Sequence, residues 1–358
     1  MATDDDRTNA LAERLRADTL GALELYSVYL GARLGLYRAL ADGEPVTSTE
    51  LAERTGTAER YIREWLEHHA SGGLLEVDDP AAEPLARRYR MPPEHVPVLA
   101  DEDHLLYQAY RGVDIVRTAR PLPDVVEAYR TGGAPPPIPW EPEGRAASNR
   151  PVYLNLLGTE WLPSIPDIDR RLRADPPARI ADVACGLGWS SIAMARAYPA
   201  VQVHGFDLDE EAIAAATKHA EAEGVSDRVT FSVTDASEPE LAGRFDLVMI
   251  LEALHDMTRP VEALRVARGM LAEGGSVVVA DEPVEEAFSA PAPEIDRYAY
   301  GWSLVACLPA AMGDPETAAT GTVMRPDTLR RYASEAGFGD VEILPIETDY
   351  WRFYRLRP

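Results

Sequence analysis

Cysteine is almost absent from this chain: two occur in 358 residues, Cys185 and Cys307, far apart in sequence. A pair so placed makes no disulfide framework and no cysteine metal cluster. The neighbouring histidines His68 and His69 have no cysteine or carboxylate constellation that would make them ligands. No apolar run reaches the length of a membrane span. The N-terminus lacks the apolar core of a signal peptide and carries Asp4-Asp5-Asp6 instead, which predicts a cytoplasmic protein. Positive charge is also short: 35 Lys and Arg stand against 60 Asp and Glu, a net charge of -25. Such a surface repels nucleic acid phosphate and anionic membrane. It reads as a solvated acidic surface, with neither nucleic acid nor membrane as partner.

What is present is ordinary for a globular protein, 46% hydrophobic and 27% charged residues, and long enough for two domains. The chain is organised around Arg179 to Asp209. Ile180 to Cys185 is an apolar run of strand length. Gly186-Leu-Gly188 follows, then a helical stretch from Trp189, then a second apolar run, Val201 to Phe206, ending at Asp207. Strand, glycine turn, helix, strand and acid make a nucleotide-binding βαβ unit. Glycine lets a ligand approach the backbone. The helix start offers N–H groups and a positive dipole end. Asp207 can accept both hydroxyls of a ribose.

The glycine turn alone does not name the nucleotide, since Ser191 stands where the dinucleotide fingerprint has its third glycine or alanine. Asp182 inside the first strand gives D-x-x-C-G-x-G, and a third strand, Val229 to Val233, ends in Thr234-Asp235-Ala236. An acid there can accept from an adenine amino group. This series resembles class I S-adenosylmethionine (SAM)-dependent methyltransferases; the other reading is a glycine turn inside some other α/β enzyme.

Residues 8 to 41 read as one or two helices, with Leu11, Leu15, Leu20, Leu23, Tyr26 and Leu30 recurring on one side. So much apolar surface suggests a partner chain, a homodimer; an internal core contact is the simpler alternative. Thr47-Ser-Thr-Glu50 is a capping box. Thr57 is expected to cap a second helix, Ala58 to Ala70, ended by Gly72-Gly73 before a short strand, Leu74 to Val77. Helix, turn, helix and hairpin form a winged-helix pattern. DNA binding conflicts with charge: between Ala41 and Val77 eight acids face three arginines, and the second helix carries Glu59, Glu64 and Glu67.

Residues 101–175 read as a helical connector. It has a helix around His104 to Arg117, whose Tyr107 and Arg111 either reach a substrate or pack. The glycine- and proline-rich stretch Thr131 to Pro142 is an entrance element or a linker. Strands then alternate with helices: strands Phe245 to Leu251 and Ser276 to Ala280, helices Asp209 to Glu223, Pro260 to Leu271 and Arg325 to Ala336, and two last strands. The predicted class is α/β: a doubly wound, Rossmann-like methyltransferase sheet over 176–358, behind an N-terminal mainly α winged-helix domain over 1–100. Ligands then sit at the carboxyl ends of the strands. Residues 283–324 interrupt the rhythm as a lid insertion. Its helix, Glu294 to Leu308, puts Tyr298 and Trp302 on one face, for core packing or for an apolar acceptor.

Leu251-Glu-Ala-Leu-His-Asp-Met257 follows the fourth strand. His255 can take a proton near neutral pH, and Asp256 or Glu252 could orient it; a structural histidine is the alternative. LHDM resembles the LHDW-type motif of small-molecule O-methyltransferases, whose histidine is the general base. The winged helix is similar to that family's dimerisation domain. ALHDM with RPVEALRVARGMLAEGGSVVVADE, and GTVMR with AGF, resemble a group of actinobacterial methyltransferases. The resemblance implies SAM as cofactor, S-adenosyl-L-homocysteine (SAH) as product, a small-molecule methyl acceptor and no metal. Gly186 and Gly188 would line the methionine part, Asp207 and Leu208 the ribose, and Asp235 and Ala236 the adenine. Asp182, Cys185 and Leu251 complete the expected cofactor set. Met257 stands where the family has a tryptophan. Phenolic or enolic O-methylation is the first reading. N- or C-methylation, non-methyl SAM chemistry and a SAM-binding regulator are the others.

Overall fold

Three acids in a row after a threonine are a strong start for a helix. The Thr3 hydroxyl accepts from the Asp6 N–H while the Asp6 carboxylate accepts from the Thr3 N–H. In the computed structural model, which describes residues 3–136, 148–236 and 244–358, this box opens α1 (Asp4–Arg33). The chain divides into two units, Met1–Ala119 and Arg120–Pro358. Among the described residues no helix is long and apolar enough to cross a membrane.

In the first unit α1 is followed by α2 (Leu36–Ala39), α3 (Ser48–Thr55) and α4 (Glu59–Ser71). A small antiparallel hairpin follows, β1 (Glu76–Val77) with β2 (Tyr89–Arg90). Thr47 and Glu50 close the predicted capping box. Thr57 does not cap α4: its hydroxyl pairs with that of Thr55 at 2.8 Å, and Ala58 occupies the cap position. Leu36, Leu40, Leu51, Ile62 and Leu66 form the centre of the core. His69 belongs to it, 2.7 Å from the Tyr37 hydroxyl and with its ring tilted against that of Trp65 at 4.0 Å between centres, with burial holding its pKa down at about 4. The α4 arginines are tied to acids of the same helix, Arg60 to Glu64 and Arg63 to Glu59.

The expected helix at His104 starts instead at Tyr110, because residues before it are spent in turns such as Tyr107 N–H to the His104 carbonyl. This α5 (Tyr110–Ala119) crosses α1 at Gly112, where a Cβ would lie 2.6 Å from the Tyr29 nitrogen. By contrast, α1 buries only Val28 and Gly31, and Leu11, Leu15, Leu20 and Leu23 are each more than half exposed.

The second unit holds a seven-stranded sheet, built from β3 (Arg179–Val183), β4 (Gln202–Asp207), β5 (Val229–Val233), β6 (Phe245–Leu251), β7 (Leu271–Asp281), β8 (Asp340–Ile343) and β9 (Arg352–Arg357). The order is β5-β4-β3-β6-β7-β9-β8. The first five run parallel, and β9 lies antiparallel to β7 and β8. Runs such as Leu247 to Ile250 are apolar throughout because both sheet faces are covered. The helices of this unit are α6 (Leu122–Thr131), α7 (Pro166–Leu172), α8 (Trp189–Ala197), α9 (Glu210–Ala222), α10 (Pro260–Met270), α11 (Glu294–Trp302) and α12 (Pro326–Glu335). One core gathers Leu157, Trp161, Ile192 and Met194; the other gathers Leu264, Leu329 and Tyr332 from α10 and α12. The chain leaves β3 outward to β4 and β5, then returns to β6 on the other side. Adjacent loops diverge at that reversal, and a ligand crevice opens above the carboxyl ends of β3 and β6.

Candidate active site

The loop after β3 is held in a conformation that few residues adopt. Ala184 (φ 58°), Gly186 (φ 52°) and Gly188 (φ 78°) are all left-handed. A Cβ on Gly186 would meet nothing within 4 Å, so its side of the loop is open. At Gly188 a Cβ would lie 2.7 Å from the Phe231 ring and 2.9 Å from Ala216. This glycine makes room for a packed aromatic ring. Asp182 likewise acts on the loop. It is 1% exposed, and the Ser190 and Ser191 hydroxyls each donate to Oδ2 at 2.6 Å, tying β3 to the first turn of α8. Burial pushes its pKa up to about 6 although those two bonds pull it down. Cys185 is buried beside Gly205, and its thiol is pushed well above the ordinary value by burial.

Asp207 ends β4 and receives the Gly186 N–H at 2.8 Å on one oxygen and the Asp209 N–H at 3.0 Å on the other. Leu208 beside it is 67% exposed. Past β5, Asp235 lies 3.4 Å from the Arg259 guanidinium, and Ala236 packs on the α10 and α12 core. Leu251 is buried at the end of β6. The carboxyl ends of β3, β4 and β5 are adjacent, so the open glycine, Asp207, Leu208 and Asp235 follow one edge of the sheet.

Beyond β6 the backbone is strained again at Glu252 (φ 51°), on the other side of the same crevice. A tight turn, Leu254–Asp256, then carries His255, which is 3% exposed. Its Nδ1 lies 2.7 Å from Oδ1 of Asp281, the last residue of β7. A third carboxylate thus holds the ring beside the two expected from the sequence. Glu252 instead accepts from the Asn149 amide at 2.5 Å, and Asp256, half exposed, sits 3.4 Å from Nε2. Asp281 went unread in the sequence. Its signal was available, since it ends the fifth strand as Asp207 ends the second. Burial disfavours a charged imidazole here, but Asp281, with smaller help from Cys307 and Asp256, outweighs it. The His255 pKa is held well above the ordinary value. Burial also pushes Glu252 and Glu282 up.

The candidate acceptor residues divide. Tyr298 and Trp302 meet edge to face at 6.0 Å between ring centres, and Tyr298 is 45% exposed, so this face of α11 is not core. Tyr107 is a buried residue of the first unit's core. Arg111 lies over the Tyr110 ring at 5.2 Å and donates to Gln108. Residues 137–142 of the proline-rich stretch fall outside the described residues.

Residues 175–315 match the family model of a methyltransferase domain, and residues 21–101 match that of an Rv2258c-like winged HTH domain. The second unit carries a methyltransferase domain. The 27-O-demethylrifamycin SV methyltransferase of Amycolatopsis mediterranei is 36% identical over 104 residues, 29% of this chain and 38% of that protein. The ubiquinone biosynthesis O-methyltransferase of Bordetella avium is 30% identical over 139 residues, 38% of this chain and 53% of that protein. The chain thus spans about two-fifths to about half the length of these curated relatives. Human N-acetylserotonin methyltransferase, solved in complex with SAM, has the same fold at TM-score 0.72 and 18% identity, covering 100% of this chain and 99% of its own. PigF with SAH gives TM-score 0.71 at 17% identity, covering both chains fully at 100%. A methyltransferase domain implies SAM as cofactor. The residues fit: the open left-handed Gly186 would line the methionine part, the strand-end carboxylate of Asp207 with Leu208 the ribose, and Asp235 with Ala236 the adenine.

Proposed function

We propose that the protein is a cytoplasmic SAM-dependent methyltransferase for a small molecule. It transfers the methyl to a phenolic or enolic hydroxyl with His255 as general base. The observation that carries this is the His255–Asp281 pair at the ligand-facing end of the sheet. Asp281 holds Nδ1 as the donor and leaves Nε2 to take a proton. SAM supplies a methyl group already activated on a sulfonium. The protein's work is then alignment of the acceptor, plus removal of its proton. O-methylation by the rifamycin and ubiquinone relatives supports the acceptor chemistry. One observation favours a second reading, N- or C-methylation. The raised pKa of His255 favours its charged form, in which the ring would orient the acceptor as a donor.

Cofactor choice is tested by calorimetry with SAM and NAD, of which only SAM binds. Asp207→Ala weakens SAM by about 1.5–3 kcal/mol, the range for hydrogen bonds to a charged group. Asp207→Asn, which keeps one acceptor oxygen, loses less. Tight NAD binding by the wild type refutes the reading.

The partner we propose on α1 is a second copy of the chain. The exposed leucines from Leu11 to Leu23 find no cover within the first unit. Sedimentation at micromolar concentration gives a dimer for the wild type and a monomer of unchanged helicity for Leu15→Arg with Leu23→Arg. A monomeric wild type ends the proposal.

A further inference from the structure

The methyl-transfer reading leaves one group at the site unused: Cys307, on the wide turn Ser303–Cys307 that continues α11. Donor atoms of His255, Asp256 and Cys307 all lie within 4.8 Å of one another. Two come from the turn after β6 and the third from the helix above it. We propose that these three side chains form a site for a thiophilic divalent cation, zinc before others, and that its occupation switches His255 off.

The donor set argues for the metal. Nitrogen, carboxylate and sulfur together suit zinc, whereas magnesium and calcium take oxygen. Zinc bonds of about 2.0–2.3 Å in a tetrahedron put donors roughly 3.3–3.8 Å apart. The trio therefore needs only a small contraction, and the half-exposed Asp256 side chain is free of the core and able to move. The histidine is also prepared in the usual way for a ligand. A carboxylate on one ring nitrogen fixes the tautomer and aims the other nitrogen at the metal; Asp281 does this at 2.7 Å. On binding, the Cys307 thiol and the protonated Nε2 of His255 each give a proton to solvent, and the thiolate and the neutral imidazole bond the metal. Three protein ligands leave a fourth position for water. With Nε2 bonded, its lone pair cannot take a proton from an acceptor. This last consequence rests on the general-base reading above; the site itself does not.

Cobalt(II) titrated into the full-length protein reports the site without catalysis. The wild type develops thiolate-to-cobalt absorption that zinc abolishes; Cys307→Ser lacks the band, and Asp256→Asn binds about tenfold or more weakly. No band in the wild type at millimolar cobalt overturns the site, as does an undiminished band in Cys307→Ser, which would assign the thiolate to Cys185. In turnover, micromolar zinc inhibits the wild type and spares Cys307→Ser, each measured against its own metal-free rate. A cobalt band without zinc inhibition upholds the site and overturns the general-base reading alone.

Discussion

His255→Ala loses about 10²–10⁴-fold in turnover, the usual contribution of a positioned base, or roughly 3–5 kcal/mol of barrier. SAM affinity stays near wild type, because the polar groups expected to hold the cofactor lie at the ends of β3, β4 and β5. The pH dependence follows from the direction of the His255 shift. Against the opposing effect of burial, its pKa is raised in the folded protein chiefly by Asp281, so the imidazole becomes a base only as pH climbs through that raised value. The acidic limb of kcat/KM therefore lies well above pH 6.5, the ordinary histidine value, and His255→Ala abolishes it. Stability runs the opposite way. The His255–Asp281 attraction contributes fully below the unfolded pKa of about 6.5, and is lost as pH rises through the folded value. Asp281→Asn moves the acidic limb downward, since the main force raising the pKa is gone, and lowers kcat by loosening the ring. If His255→Ala keeps turnover within about threefold, too little for loss of a base, with the limb intact, the residue only orients its acceptor. An N- or C-acceptor is then the better assignment.

Much of the chemistry near β3 could be read from the sequence because it is local. An apolar run, a glycine turn, a helix and a second run ending in acid are contiguous, and each obeys its own short-range rule. Val229–Val233 and Phe245–Leu251 became strands at the expected residues for the same reason. The role of Asp281 was hidden because it depends on β7 pairing beside β6, which brings it to a histidine 26 positions earlier in the chain. Gly188 shows a similar limit. Its need for φ > 0 is local, but the ring that excludes a side chain, Phe231, comes from β5. The helix Leu122–Thr131 is hard to read because Pro121 stands at its cap and Pro123 in its first turn, where proline is tolerated but gives no sign that a helix follows. Asp296 is an acid on an otherwise amphipathic helix. Nothing before it in the chain announces that Arg325 will meet it.

Asp296→Ala costs about 3–5 kcal/mol, the range for breaking a buried pair by removing one partner. Asp296 is 0% exposed and lies 2.9 Å from an Arg325 guanidinium whose side chain is 15% exposed. Its other oxygen accepts the Glu285 N–H at 2.8 Å, and Arg325 also donates to the Glu285 carbonyl. One carboxylate thus ties α11, the segment after β7 and the start of α12. Alanine leaves both a guanidinium and an N–H uncompensated. Replacing Asp296 and Arg325 together with leucine and methionine costs less than the single change, because no charge remains buried. The loss falls first on α11, so limited proteolysis between Glu285 and Glu294 accelerates before the urea midpoint of the whole chain moves. Tyr298, Trp302 and Cys307 ride on this helical stretch. The variant therefore raises KM for the acceptor and weakens cobalt binding, while calorimetric SAM affinity holds. A change in unfolding free energy within about 0.5 kcal/mol, the size expected of an unremarkable surface site, with proteolysis unchanged, shows that the clasp does not hold the helix.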